Sequence, residues 1–398
     1  MKDIDKSFFR EKRPWSRIKD RVLGAYLPPY LRKVSRLGRR IVIIDCFAGA
    51  GKFTDGTAGS PLIICQQIAQ HAPNRALAYF INKRPRHHEA LVRTIESFTK
   101  AGFAQPILGS GEEFLHEIRR HITDQTLFVY LDPFGLKGCR FDAIRTLLER
   151  GARFSTEVLI NLNMPALHRL AAGRSVSCGN ADSDIVRGFH STLDGVLGTT
   201  EWREIMWDGD IMPADKEERI VSAYKQRLAR FLGYVCSCPV READEARVKY
   251  HIVFASRHID ALLLMNDIML DAYHEHAFDT ALQEMPLFAD SQLDWKDSRH
   301  RERQALRDVT CRIVEELPGR KRTELWQQVV LRHFMQFREL EFRQAVAELV
   351  ENGGLRCPTP RRGSRLNDDC ILMPGNIRRP PVAAGSGFAI QSGSRAKR

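Results

Sequence analysis

Two short stretches carry residue types that could do chemistry. The first runs from Asp45 through Cys46, Phe47, Ala48, Gly49 and Ala50 to Gly51, directly after Ile41, Val42, Ile43 and Ile44. An acid followed by a turn of small residues lets a ligand come close to the main chain, which only glycine permits without steric cost. The second is Asp132, Pro133, Phe134, Gly135, Leu136 and Lys137, again after an apolar run. An acid in a rigid proline turn offers hydrogen-bond acceptors, an aromatic ring offers a stacking face, and a lysine adds positive charge. On this reading Asp132, Pro133, Phe134 and Lys137 are the catalytic candidates. Asp45, Phe47, Gly49 and Gly51 are candidates for holding a nucleoside cofactor.

Those stretches need a scaffold that brings them to one side. Residues 41–44 are β-branched throughout, as in a strand buried on both faces of a parallel sheet. Strand-like runs at 76–81, 105–108, 126–131 and 157–162 alternate with helical patterns, which predicts a doubly wound α/β sheet. In such sheets ligands bind beyond the carboxyl ends of the strands. Asn82 ends the second run, where an acid would hold ribose hydroxyls. Ser110, Glu112 and Glu113 follow the third and could meet an adenine ring. Asn161 and Asn163 end the fifth. Ser60 and Pro61 look like a helix cap and first turn.

Residues 234–239 and 248–255 are separated by too short a charged turn for a parallel connection, so they predict an antiparallel edge hairpin. A parallel sheet closed in this way is the class I methyltransferase arrangement. The domain is therefore expected over 41–285, with a Gly/Ser/Asp-rich insertion at 171–213 over its carboxyl face. An arm and amphipathic helix at 1–40, with Ile18, Val22, Leu23 and Tyr26 at helical spacing, would pack at the sheet edge. Helical patterns at 305–317, 323–334 and 338–352, then a basic two-stranded turn, predict a winged helix over 304–376. Its third helix would carry Arg338 and Arg343, and its wing Arg361 and Arg362, as nucleic-acid contacts, although such modules also bind proteins. The Pro/Gly/Ser-rich end, 379–398, has the composition of a disordered tail.

Lysine and arginine total 61 against 49 aspartate and glutamate, a net charge of +12, which favours a polyanionic partner such as nucleic acid. No apolar run approaches the length of a membrane span, and the first residues lack a signal-peptide core. The nine cysteines are scattered, without a C-x-x-C pair, so neither a zinc site nor a disulfide framework is expected and a reducing cytoplasm fits. No metal site is expected, although Asp45, Asp55 and Asp132 would be the carboxylates of a nuclease if one existed.

Several segments together resemble the three-Cys-motif partner protein family (TcmP). They are 44–51, 55–61, 128–138, 157–161, 250–257 and 264–269, and they span most of residues 15–275, while the family's C-terminal winged helix fits 305–375. The resemblance implies a bacterial protein with a methyltransferase-like core that uses S-adenosylmethionine. It also implies a partner carrying a three-cysteine motif, similar to a radical-SAM-like family. The family's acid after the second strand is Asn82 here. The function expected is methyl transfer to nucleic acid, the alternative a non-catalytic nucleic-acid-binding partner of the three-Cys protein, and, less favoured, a metal-dependent nuclease.

Overall fold

The computed structural model describes residues 14–172, 180–241, 247–284, 291–358 and 366–375. The chain divides into two compact units, with the boundary between His276 and Ala277.

The first unit is built on a seven-stranded sheet in the order β3-β2-β1-β4-β5-β7-β6. Its strands are β1 (Ile41–Asp45), β2 (Ala76–Asn82), β3 (Ala104–Leu108), β4 (Thr126–Leu131), β5 (Thr156–Asn163), β6 (Tyr234–Arg241) and β7 (Val248–Ser256). β1 to β5 are mutually parallel, and β7 runs antiparallel to both β5 and β6. Every residue of β1 and of β4 is buried, which is why both read as unbroken apolar runs rather than alternating ones. The predicted α/β class, strand alternation and edge hairpin are all present.

Helices cover both faces. One face carries α1 (Pro14–Ser35) and α2 (Ser60–His71), which pack on each other. The helix α1 is not at the sheet edge, as its amphipathic spacing alone suggested. Tyr26 stacks on Phe128 of β4 and meets Phe254 of β7 edge-on, with ring centroids 5.9 and 5.1 Å apart, so α1 crosses the middle of the face. Its apolar stripe is wide enough to bury Ile18, Val22, Leu23, Tyr26 and Leu27 almost completely. Two helices, α3 (Pro85–Thr94) and α4 (Glu96–Lys100), connect β2 to β3.

The opposite face holds a continuous apolar cluster. Val42, Ile44, Val129, Leu131, Val158 and Ile160 contribute from the strands. From the helices come α5 (Gly111–Ile118), α6 (Phe141–Leu148), α7 (Met164–Ala171), α8 (Asn180–Leu197), α9 (Trp202–Trp207) and α10 (Pro213–Leu232). The segment read as an insertion over the carboxyl rim therefore folds, in its described part, as α8 and α9 on this face. Leu193, Val196 and Trp202 give the reason: they are apolar positions that only the sheet-face cluster could bury. The helix α11 (Ile259–Glu284) follows β7 and contains the division between the units.

The second unit contains α12 (Ser291–Glu316), β8 (Arg320–Lys321), α13 (Arg322–Arg332), α14 (Glu339–Glu351), β9 (Leu355–Arg356) and β10 (Ile371–Pro374). Its small antiparallel sheet has the order β8-β10-β9. The helix α12 starts earlier than the predicted 305, taking in a charged stretch read as a domain boundary. Trp326 and Phe342 stack 5.2 Å apart and join α13 to α14 in its core. The expected wing residues Arg361 and Arg362, and the tail at 379–398, lie outside the described residues.

Candidate functional site

Parallel pairing fixes the geometry that the sequence reading required. Asp45 of β1 is in register with Tyr130 of β4, and Asp132 follows two residues later at the same strand end. Alternation puts Ile43, Asp45, Phe128 and Tyr130 on the α1 side of the sheet. The two acids thus share one rim and one face.

Asp45 has no solvent exposure, and both carboxylate oxygens are already engaged. One accepts from the Phe47 backbone N–H at 3.2 Å and the other from Ser60 Oγ at 2.7 Å. Burial pushes its carboxyl up to about 7, against the lowering effect of those two hydrogen bonds. Ser60 was expected to cap α2, but Gly59 is the cap residue, and the Ser60 hydroxyl turns instead to Asp45. Asp45 therefore shapes the turn from beneath rather than facing a ligand.

The two glycines in the turn differ. Gly51 has φ +87°, and a Cβ there would lie 2.7 Å from Thr94 Cγ2, so its role is packing against α3. A Cβ on Gly49 would point into open space, so the main chain is accessible at that position. Phe47 packs under the neighbouring turn, where a Cβ on Gly138 would lie 3.2 Å from its ring. That contact joins the β1–α2 and β4–α6 loops.

Asn82 is buried at the end of β2. Its Nδ2 donates to the carbonyl oxygen of Ala48 and, at 3.4 Å, to that of Gly49, while Oδ1 accepts from the Arg84 backbone at 2.9 Å. A carboxylate could not make the first two bonds, because it has no proton to give. The amide at this position is explained by the loop it ties down.

After β3, Ser110 is the cap residue of α5, and its hydroxyl makes no capping bond. Glu112 accepts from the Arg140 backbone N–H at 2.8 Å, tying α5 to the start of α6. A Cβ on Gly111 would lie 2.8 Å from the Cys46 carbonyl, so α5 sits directly against the β1 turn.

In the turn after β4, Pro133 is buried, Phe134 is 58% exposed, and Lys137 is exposed. Asp132 is the most elaborately held group of the site. Both its oxygens accept from Lys19 Nζ, at 2.8 and 2.7 Å. Tyr130 Oη lies 3.5 Å from Oδ2 and itself accepts from Asn161 Nδ2 at 3.1 Å. Asn163, also expected at this end, instead caps α7 through the Ala166 backbone at 2.8 Å.

Sequence reasoning did not single out Lys19 as a site residue. The signal was available: Lys19 is three and four residues before Val22 and Leu23, on the apolar stripe, where an unpaired lysine would be too costly to bury. Tyr130 and Asn161 were legible as strand residues, but their hydrogen bond was not.

In the second unit Arg338 and Arg343 are exposed to differing degrees, and both are paired with acids. Arg338 Nη1 lies 3.3 Å from Glu341. Arg343 meets Glu339 through Nε at 2.9 Å and Asp368 at 3.5 Å. The helix α14 carries Glu339, Glu341, Glu348 and Glu351 against Arg343 alone, a charge balance opposed to lying in a polyanionic groove. Among the described residues no group of three His, Cys, Asp or Glu side chains could hold a metal ion. Asp55, a candidate for such a group, accepts from the Thr57 backbone in an exposed turn. No helix among the described residues is long and apolar enough to cross a membrane.

No protein-family model matches this chain, and no curated protein sequence matches it. Solved structures similar to it in part include an O-methyltransferase from Bacillus cereus in complex with SAH. It is 9% identical, over 58% of this chain and 79% of that one, with a TM-score of 0.32. A spermidine synthase with a transition-state analogue is 9% identical, over 61% and 62%, with a TM-score of 0.34. Fibrillarin, a pre-rRNA processing protein of Methanococcus jannaschii, is 11% identical, over 55% and 66%, with a TM-score of 0.27. Likeness at this level transfers no residue and no activity. The strand order and the antiparallel β7 carry the fold assignment: a class I methyltransferase-like α/β sheet.

Proposed function

We propose that the first unit transfers a methyl group from S-adenosylmethionine to an amino group of a nucleic acid. The observation that carries this reading is the shared rim of Asp45 and Asp132, with an open main chain at Gly49 on one side and exposed Phe134 on the other.

The cofactor fits the residues present at one end. Gly49 and the first-turn N–H groups of α5 beside Ser110 suit its polar groups, since a helix start presents unpaired donors. At the other end the hydroxyl-binding acid is replaced by Asn82, whose amide is committed to Ala48 and Gly49. Glu112 is committed to Arg140. S-adenosylmethionine, when bound, supplies the methyl group as an electrophile, its sulfur keeping the electron pair of the broken bond. Asp132 and the carbonyl of its turn would accept the N–H groups of the target and so orient the nitrogen lone pair. Phe134 would stack on the target base. The amine loses one proton as it gains the methyl group, and Asp132 is placed to receive it and pass it to water.

The resemblance to the three-Cys-motif partner family adds a protein partner to this reading. The second unit is read as the family's winged helix, and the paired arginines and acidic balance of α14 favour protein contact over DNA-groove contact for that face. The alternative is a non-catalytic partner with a closed pocket. Full burial of Asp45 and the committed amide of Asn82 favour it.

The test is incubation of the protein with methyl-labelled S-adenosylmethionine and total cellular RNA and DNA, with and without a three-Cys-motif protein. Label in nucleic acid that disappears with Asp132→Asn supports methyl transfer. No label in either condition, with no heat of S-adenosylmethionine binding by calorimetry, leaves the non-catalytic reading.

A further inference from the structure

Asp132 has a buried countercharge on its inner side. Lys19 Nζ lies 2.8 and 2.7 Å from the two carboxylate oxygens. The lysine side chain is 6% exposed and the aspartate side chain 23%, so the cation sits on the protein side of the anion and does not cover it. The same Nζ lies 4.7 Å from the centre of the Tyr250 ring on β7, within cation–π range. Tyr130 on β4, supported by Asn161 on β5, approaches the carboxylate from a further direction. The helix α1 and β4 thus reach the acceptor directly, with β7 and β5 behind them.

Two features separate this arrangement from a removable plug. The first is that α1 cannot withdraw without exposing Ile18, Val22, Leu23, Tyr26 and Leu27, all nearly fully buried. The second is the relative exposure just given, which leaves the outer edge of Asp132 toward solvent. A buried ammonium is expensive to desolvate and is tolerated only with a well-made partner. Burial alone would lower the Lys19 pKa, and Asp132, together with Tyr250 and Asp20, more than offsets this, so the group is held protonated above its ordinary value.

We infer that Lys19 is a positioning residue for the acceptor carboxylate: its ammonium fixes the Asp132 side chain so that the outward lone pairs face an incoming amino group. The catalytic consequence rests on the methyl-transfer reading above, whereas the ion pair can be observed apart from it. In this role Lys19 contacts neither target nor cofactor and acts through Asp132.

The experiment combines two readouts. The first is NMR of the protein labelled with ¹⁵N in lysine, in which a buried, hydrogen-bonded ammonium gives a signal protected from exchange. The expected result is one such signal, absent from Lys19→Met and broadened or lost in Asp132→Asn. The second is methyl transfer to nucleic acid. Lys19→Met should lower kcat on the order of a hundredfold, as misplacement of a reacting group does. KM for S-adenosylmethionine should change by no more than about a factor of two. Lys19→Arg, which keeps the charge, should restore much of kcat, and thermal melting checks that both variants fold. A protected signal unchanged by Asp132→Asn, or a Lys19→Met protein with normal kcat, overturns the inference. A signal that responds to Asp132→Asn in a protein that transfers no methyl group overturns the methyl-transfer reading, and leaves Lys19 a structural counterion rather than a positioning residue.

Discussion

Tyr26 Oη donates to Glu157 Oε2 at 2.7 Å, joining the centre of α1 to the amino end of β5. Ser256 Oγ donates to the other oxygen at 3.3 Å. The carboxyl is fully buried, and burial pushes it up to about 7, opposed by these two hydrogen bonds and by Lys33. This acid is at the opposite end of its strand from the candidate site, so it reports on folding and not on chemistry.

A pH dependence of stability follows. An unfolded carboxyl releases its proton near pH 4. Between about pH 4 and the folded value of about 7, the folded chain still holds protons on Glu157 and Asp45 that the unfolded chain has lost. The share of stability from these two acids therefore falls as pH rises through that window and levels off above it, by about 1.4 kcal/mol for each unit of displacement, while buried His251, pushed down to about 4, contributes in the opposite sense over the lower part of the window. Glu157→Gln should remove the Glu157 share and leave that of Asp45. Urea unfolding from pH 4.5 to 8 measures this, and a slope equal to wild type would count against it.

Asn82 offers a sharper choice. If its amide serves the turn, Asn82→Asp removes two donated hydrogen bonds and sets a negative charge against the Ala48 and Gly49 carbonyls. Stability should fall by about 1–3 kcal/mol, the usual cost of unsatisfied buried groups. Hydrogen exchange at residues 48–52 should quicken, and S-adenosylmethionine should bind more weakly. Tighter binding by the Asp variant would instead mark position 82 as a hydroxyl-binding site in need of its acid.

Gly49 and Gly51 should respond differently to alanine. Gly51→Ala adds a left-handed backbone penalty of about 1–2 kcal/mol to its contact with Thr94, and the melting temperature should drop. Gly49→Ala meets nothing within 4 Å and should melt like wild type. If the Gly49 main chain faces the cofactor, calorimetry will show weaker binding in a protein of normal stability. Equal binding would remove Gly49 from the site.

Phe134 is a large apolar side chain exposed at the rim. Phe134→Ala should change stability by no more than about 0.5 kcal/mol, as at most surface positions. Stacking on a base contributes about 1–3 kcal/mol, so affinity for single-stranded nucleic acid should fall roughly tenfold or more. Fluorescence anisotropy with a labelled oligonucleotide measures it, and unchanged affinity would exclude stacking by this ring.

The α/β class, the strands and the two acidic turns were legible because they are written locally. Buried parallel strands need unbroken β-branched runs such as 41–44, and tight turns need glycine, so both leave marks in neighbouring residues. The shared rim of Asp45 and Asp132 followed from those marks, since parallel strands align their carboxyl ends. What could not be read was the partner each polar side chain chose. Lys19 and Asp132 are 113 positions apart, Asn82 and Ala48 34, Tyr26 and Glu157 131. Nothing local distinguishes a cofactor-binding Asn82 from one that clamps a loop, and the stripe that marks Lys19 for burial does not name Asp132 as its partner. The long-range packing of α1 across the face of the sheet decided the Lys19 and Tyr26 pairings, because burying its apolar stripe carries both in with it, and a polar group taken from water must find whatever partner the opposing strands present; the parallel pairing of β1 with β2 brought Asn82 to the Ala48 turn.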